Sequence, residues 1–150
     1  MNGRVDFYVL KSAAAKARWT VACRLTEKAY LKDLGVVILS ETTADAQAVD
    51  ELLWTFNDRS FVPHQYCKDQ QPMAADTPVH VTAALDAVVT ADLLINLSDR
   101  LPVGLERFAR IAEIIDADPE RRRLGRERFK SYRELKLALE THQLDETPDT

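Results

Sequence analysis

Two short apolar runs, separated by a stretch of helical periodicity, most constrain how this chain can fold. Residues 5–10 (VDFYVL) and 36–40 (VVILS) are rich in β-branched, aromatic and aliphatic side chains, which is typical of buried strands. Between them, residues 13–32 carry apolar side chains three and four positions apart, which predicts a helix. A second helix, capped by Thr42 or Thr43, follows the second run. This order predicts a three-layer α/β fold, with a mostly parallel central sheet and helices on both faces.

The second half of the chain is less regular. Residues 57–78 contain three prolines and predict an extended loop over the sheet edge. Strands are predicted at residues 79–82, 91–98 and 109–115, with a single helical turn at 103–108. Asp118 and Pro119 suit the start of a last helix, which we expect to run to about residue 140. Residues 1–140 are interpreted as one domain, and residues 141–150 as a polar, frayed tail.

Composition and charge exclude several classes of protein. The net charge of −4 argues against a surface that binds nucleic acid throughout, because such binding needs an excess of Lys and Arg. Two cysteines, Cys23 and Cys67, provide no disulfide framework and indicate reduced thiols. No apolar run approaches the length of a bilayer, and the first ten residues lack a signal-peptide pattern. We therefore expect a cytoplasmic protein with no membrane partner.

The sequence contains no recognisable catalytic, cofactor or metal motif. Residues 11–16, after the first strand, lack the glycines through which backbone amides approach a phosphate group, so we expect a Rossmann-like fold without a phosphate-binding loop and no cofactor. His64 and Cys67 are three positions apart, but neither His80 in a strand nor His142 in the tail is placed to complete a zinc site. Both cysteines are more typical of structural or surface thiols than of nucleophiles. We expect no catalytic residue and no metal.

A basic segment near the end of the chain suggests a binding surface. Residues 119–136 contain eight Arg or Lys and three Glu, a local charge of +5 in an acidic protein. At helical spacing one face would carry Arg122, Arg126, Phe129, Lys130 and Arg133. Guanidinium groups interrupted by an aromatic ring suit a ligand that is both acidic and hydrophobic. The alternative is a solvated amphipathic helix that binds nothing.

A second candidate surface is aromatic. Trp54, Phe56 and Phe61 lie close together in the sequence, around a chain reversal at Asn57 and Asp58. One of these rings is expected to close the end of the core. The others are expected to be partly exposed, which is the usual composition of a protein interface.

Five segments lead from these observations to a family. They are VDFYVL at 5–10, DELLW at 50–54 followed by SFVPH at 60–64, DLLINLS at 92–98, and GRERFKSYR at 125–133. In order and spacing they resemble the chi subunit of the bacterial DNA polymerase III clamp-loader assembly. The resemblance implies a replication accessory protein that is itself non-catalytic, on a nucleotide-binding type of fold without the phosphate loop.

The resemblance also implies two protein partners and their sites. The first partner is the acidic, Phe-terminated C-terminal tail of single-stranded DNA-binding protein. The second is the psi subunit, which tethers chi to the clamp loader, and a repair-type iron–sulfur helicase is a candidate competitor for its surface. By matching positions, the tail site would comprise Arg126, Phe129 and Lys130, with Ile115, Arg122 and Arg133 alongside. The psi site would comprise Trp54, Phe61 and Pro63.

Parts of the chain depart from the family pattern, and two other functions stay open from the residues. The departures are the Ala-rich segment after the first strand, the loop at residues 68–78, and the acidic end at 136–150. One alternative is a nucleotide-dependent or hydrolytic enzyme on the same fold. The other is a direct single-stranded nucleic-acid binder that uses the basic helix. We expect no direct nucleic-acid binding, given the net charge and the lack of a stacking platform.

Overall fold

A computed structural model describes residues 3–57, 62–67, 78–85 and 91–144. Among these residues the element order is β-α-β-α-β-β-β-β-α-β, and a short 3-10 turn at Leu105–Arg107 precedes the sixth strand. The strands are β1 (Arg4–Leu10), β2 (Val36–Leu39), β3 (His64–Cys67), β4 (Val79–Thr82), β5 (Ala91–Asn96), β6 (Phe108–Ile115) and β7 (Ala138–Leu144). The α-helices are α1 (Ala15–Leu31), α2 (Thr43–Thr55) and α3 (Pro119–Glu134).

The described strands form one sheet of seven, in the order β3-β4-β2-β5-β6-β1-β7, and every pair is parallel. Apolar side chains of α1 and α2 pack with Ile38 and Ile95 on one face of the sheet. Those of α3 pack with Val5 and Ile111 on the other face. The predicted three-layer α/β architecture with a parallel sheet is therefore confirmed. None of the described helices combines the length and apolar character needed to cross a membrane.

The predicted starts of two helices are also confirmed. The Thr42 hydroxyl accepts a hydrogen bond from the Asp45 amide at 3.0 Å and caps α2. Asp118 Oδ2 accepts one from the Arg121 amide at 2.9 Å, and Pro119 is the first residue of α3. In α1, Cys23 is fully buried, and this burial raises the pKa of its thiol to about 12. It is a structural thiol rather than an ionised nucleophile.

The prediction for the end of the chain was wrong. The last helix ends at Glu134 rather than near residue 140, and Lys136, with a φ of 64°, turns the chain back towards the sheet. Residues 138–144 then form β7, which pairs with β1 along its whole length. Burial of Leu137 and partial burial of Leu139 against the core below α3 favour a strand there. Residues 141–144, expected in a frayed tail, therefore belong to the sheet, and 145–150 lie outside the described residues.

The interpretation of residues 57–78 as an extended loop was wrong in part. His64–Cys67 forms β3, whose Gln65 pairs with His80 of β4 at one edge of the sheet. This strand has four residues and a largely polar sequence, HQYC, so neither length nor hydrophobicity distinguishes it from a loop. Residues 58–61 and 68–77 lie outside the described residues.

Candidate functional site

Helix α3 lies unusually close to the sheet at Gly125. A Cβ atom at this position would lie 2.8 Å from Cδ1 of Ile115, the last residue of β6. A side chain at this position would require the end of the Ile115 side chain to shift. Gly125 thus permits close contact between the first half of α3 and the carboxyl end of β6.

An apolar groove opens beside this contact, between α3 and the end of the sheet. It encloses about 520 Å³ of empty space that is continuous with solvent. Phe7 of β1 and Phe129 of α3 meet in it with ring centroids 5.1 Å apart. Its lining comprises Phe7, Val9, Ile115, Arg122, Gly125, Arg126, Phe129 and Thr141. The groove thus has an apolar interior with guanidinium groups on one side only.

Four of the six residues named for the tail site line this groove: Ile115, Arg122, Arg126 and Phe129. Arg122 is held in place, because it donates to the carbonyl oxygens of Asp116 at 2.9 Å and Leu10 at 3.0 Å. It therefore forms a fixed wall of the groove rather than a mobile cation.

Arg126, Lys130 and Arg133 are all exposed. No described residue forms a hydrogen bond or an ion pair with any of these three side chains. Arg126 lies at the groove, whereas Lys130 and Arg133 follow it along α3 and do not line the groove. Arg133 is seven residues after Arg126, close to two full turns, so both lie on the same flank of the helix. These three side chains, the cationic flank, extend from the groove towards the C-terminal end of α3.

Other arginines of α3 bind carboxylates of this chain. Arg128, only 6% exposed, forms an ion pair with the buried Glu113 at 3.0 Å, and the Tyr132 hydroxyl donates to the same carboxylate at 2.6 Å. Burial and the adjacent Glu113 carboxylate raise the pKa of Tyr132. Arg121 donates two hydrogen bonds, at 2.9 and 2.7 Å, to Asp116. These contacts fix α3 on the sheet.

Several groove residues were missed by the sequence analysis. Phe7 and Val9 occupy every second position of β1 and share one face of the strand with Val5. In the sequence this pattern is that of ordinary core residues. For Val9, the signal that could have found it is its position near the carboxyl end of β1; Phe7, in the middle of the strand, carries no such signal. Thr141 was missed because β7 was not predicted.

The aromatic surface is present in part. Trp54, at the end of α2, is 50% exposed, and its ring lies 4.3 Å from that of His64, centroid to centroid. The His64 ring nitrogens lie 2.7 Å from the carbonyl oxygen of Val62 and 2.9 Å from that of Asp50, which holds the segment with Pro63 beside α2. Phe56 packs against the core, as expected for one of the three rings. Phe61 lies outside the described residues.

A polar cluster on the opposite face of the sheet contains side chains of the kinds that bind metal ions. Ligand atoms of Asp6, Glu140 and His142 lie within 4.8 Å of one another, the one such group among the described residues. Asp6 also accepts hydrogen bonds from Arg4 and Arg110, whose guanidinium groups would repel a cation. Burial raises the pKa of Asp6, but hydrogen bonds from His142, Arg4 and Arg110 outweigh it and leave the pKa below its usual value. The cluster is therefore better suited to holding β7 on β1.

The fold places this chain in a broad class of proteins. It is similar to the solved structure of Mss116p DEAD-box helicase domain 2 bound to an RNA duplex, with a TM-score of 0.61 over 94% of this chain and 65% of that chain. The sequence identity is 9%, so the similarity concerns the fold alone. The chain is thus a Rossmann-like α/β protein.

Sequence comparison identifies the family. The family model described as DNA polymerase III chi subunit, HolC, matches residues 2–140. The DNA polymerase III subunit chi of Pseudomonas aeruginosa is 36% identical over 141 residues, which cover 94% of this chain and 96% of that protein. That of Haemophilus influenzae is 29% identical over 136 residues, which cover 89% and 92%. The chain belongs to the family of DNA polymerase III chi subunits, replication accessory subunits, as the order of its motifs indicated.

Proposed function

We propose that this protein binds the acidic, Phe-terminated C-terminal tail of single-stranded DNA-binding protein in the groove beside α3. Through the psi subunit it would link that tail to the DNA polymerase III clamp loader, in the cytoplasm and without catalysing a reaction itself. One observation carries the proposal. An apolar groove lies next to three cationic side chains that have no partner among the described residues.

The chemistry of the groove matches the end of such a tail. The terminal aromatic side chain would enter between Phe7, Ile115 and Phe129, where burial of apolar surface stabilises it. The terminal carboxylate and nearby Asp side chains would accept charge-assisted hydrogen bonds from Arg126 and Lys130. Binding of this kind is expected to be micromolar, about −8 kcal/mol, and weaker at high salt. Many tails on one coated strand would raise the effective affinity.

The psi subunit is assigned to the second surface. The exposed Trp54 ring, supported by His64, provides a flat aromatic contact, and Pro63 continues it. Phe61 is proposed as a further contact from its position in the sequence. A repair-type helicase is proposed as a competitor for the same residues. The two partners would then bind at different places and could be held simultaneously.

The tail site is tested with a synthetic peptide that ends in an acidic run followed by Pro-Phe, with its carboxyl end free. The unmodified protein is expected to bind it in a fluorescence-anisotropy titration. Replacing both Arg126 and Lys130 with Ala removes two donors from a desolvated anchor, a loss of about 2–4 kcal/mol. This corresponds to a loss of affinity of about 30-fold or more.

Arg123→Ala is the matched control for that double variant. Arg123 is exposed on the same helix, but it is paired with Glu120 at 2.6 Å and Glu127 at 2.9 Å. Its removal changes the net charge near the groove without removing an available donor, so the peptide affinity is expected to be retained. Wild-type affinity in the double variant would contradict the proposed site.

The independence of the two surfaces is tested with Trp54→Ala and Phe61→Ala. Both variants are expected to retain the peptide affinity and to lose psi in a pull-down with the purified subunit. Loss of both ligands together would mean that the surfaces are not separate. A rise in melting temperature with nucleotide, or binding of single-stranded DNA alone, would instead favour the enzyme or nucleic-acid alternatives.

A further inference from the structure

We propose that the bound tail continues out of the groove as an eighth strand, added in parallel to the open edge of β7. This inference rests on the proposed function, because it describes the path of the peptide whose end the groove would hold. In this arrangement the backbone of β7 forms hydrogen bonds with the backbone of an acidic, extended peptide. The groove would then recognise the end of the peptide, and the strand edge would recognise its backbone.

The backbone of β7 leaves hydrogen-bonding groups at the edge of the sheet. The Ala138 amide donates to the Gly3 carbonyl at 3.3 Å, so the backbone of Ala138 faces β1. Successive residues of a strand direct their backbone groups to alternate sides. Leu139, Thr141 and Gln143 therefore direct their N–H and C=O groups away from β1. No described residue hydrogen-bonds to these groups, and β7 is the last strand of the sheet.

This open edge is continuous with the groove. The Thr141 side chain lines the groove, while the Thr141 backbone groups point outward. A peptide whose last side chain enters the groove therefore passes directly beside Thr141. Unpaired edge strands are templates for the addition of another strand, and Thr141 places such a template at the mouth of the proposed site.

The cationic flank indicates the direction of the added strand. Helix α3 returns to β7 through three residues, 135–137, so the two elements run in opposite directions and Arg133 lies nearer the start of β7 than Arg126 does. The two arginines are separated by about 10 Å along the helix axis, which about three extended residues span. An acidic chain that passes Arg133 first and Arg126 second ends at the groove. It would therefore run parallel to β7.

The opposite direction is disfavoured by charge. An antiparallel chain would leave the groove past the end of β7, on the side away from Lys130 and Arg133. An acidic chain on the parallel path meets both of these cations, which attract it. The expected ligand is thus an acidic segment, extended over several residues, with an apolar side chain at its carboxyl end.

Residue-resolved amide exchange of the full chain, with and without the acidic Pro-Phe peptide, tests this arrangement. The Leu139 and Thr141 amides should exchange rapidly in the free protein and at least about tenfold more slowly with saturating peptide, because they acquire partners. The Glu140 and His142 amides face β1 and serve as internal controls, slow in both states. If the peptide binds but the Leu139 and Thr141 amides are unchanged, the added strand is wrong while the groove site stands. If the peptide does not bind, both proposals are wrong.

A pair of variants at one position gives a second measurement. Thr141→Pro removes the outward N–H, and proline is tolerated on an edge strand when its missing N–H faces outward. Thr141→Val also loses the hydroxyl but keeps that N–H. We expect the Pro variant to bind about threefold to tenfold more weakly than the Val variant, which is the effect of one hydrogen bond. Equal affinities of the two folded variants would overturn the proposal.

N-methylation of the peptide provides the same test without altering the protein. Methylation of successive peptide amides is expected to weaken binding at every second position, because alternate amides of an added strand face β7. A uniform effect along the peptide would overturn the proposal even if the Thr141→Pro variant fails to fold.

Discussion

The two flanks of helix α3 carry the same type of side chain and use it differently. On the flank that faces β6, Arg121 and Arg128 contact the buried carboxylates of Asp116 and Glu113. On the flank that faces β7, no described residue pairs with Arg126 or Arg133. The arginines of α3 therefore fall into two groups. Those of the first group form ion pairs that stabilise the fold, and those of the second group have no partner among the described residues.

The difference between the flanks follows from what lies beneath each of them. Glu113 in β6 and Asp116 directly after it are buried carboxylates that need partners, and α3 supplies those partners. The edge strand β7 presents Leu139, Thr141 and Gln143 to the same side as α3. None of these three side chains is a carboxylate that could neutralise the helix, and no described residue pairs with Arg126 or Arg133.

The largest expected effect is on the buried flank. Arg128→Ala leaves Glu113 without its cationic partner in the interior, and loss of one partner of a buried ion pair costs about 3–5 kcal/mol. Arg126→Ala should change the free energy of unfolding by no more than about 0.5 kcal/mol, because its side chain is exposed. Urea denaturation of both variants measures the contrast. Similar losses in the two variants would contradict the division of α3 into two flanks.

An intermediate effect concerns Asp116 and depends on pH. Burial raises the pKa of Asp116, but hydrogen bonds from Arg121 and the Asp118 amide outweigh it, so the pKa lies below its usual value. A carboxylate with a lowered pKa stabilises the folded state at neutral pH, and this contribution is lost as the pH falls through that pKa.

Asp116→Asn should therefore destabilise the protein at pH 7 by about 1–3 kcal/mol, the cost of leaving buried donors without a charged partner. The difference from the unmodified protein should shrink once the pH falls below about 4. Thermal unfolding of the two proteins across that range measures it. A constant difference at every pH would show that Asp116 acts through packing rather than charge.

The smallest effect separates positions within the exposed flank. Arg133 lies outside the groove, so Arg133→Ala should weaken peptide binding only about threefold, as expected for a charge at the rim of a site. The loss should decrease at high salt, because an exposed charge is screened. Anisotropy titrations at two salt concentrations measure this. If Arg133→Ala weakened binding as much as the Arg126 and Lys130 double variant does, the centre of the site would lie nearer the C-terminal end of α3.

The parts of the fold that the sequence predicted are those buried on both faces. Residues 5–10 and 36–40 are almost continuously apolar because neighbouring strands and both helix layers cover them. The strands that were missed, β3 and β7, are the two edges of the sheet. Edge strands are half solvated, and their polar sequences, HQYC and ALETHQL, resemble loops or helix ends.

The candidate site was predictable where its residues carry a distinctive combination of chemistry. Arg126 and Phe129 were found because a cation and a ring on one helix face are unusual together. Phe7 and Val9 were not found, because a groove wall and a core position have the same apolar character in a strand. Lys130 and Arg133 were placed on the correct helix, but their distance from the groove depends on the three-dimensional path of α3.

The close approach at Gly125 has a consequence for how this protein can change. Alanine would favour the helical conformation at this position by about 1 kcal/mol. The added methyl group would lie 2.8 Å from Cδ1 of Ile115, so this groove-lining side chain would have to move. A mutation that favours the helix would thus disturb a wall of the groove. Helix propensity and the shape of the groove are coupled through one missing methyl group.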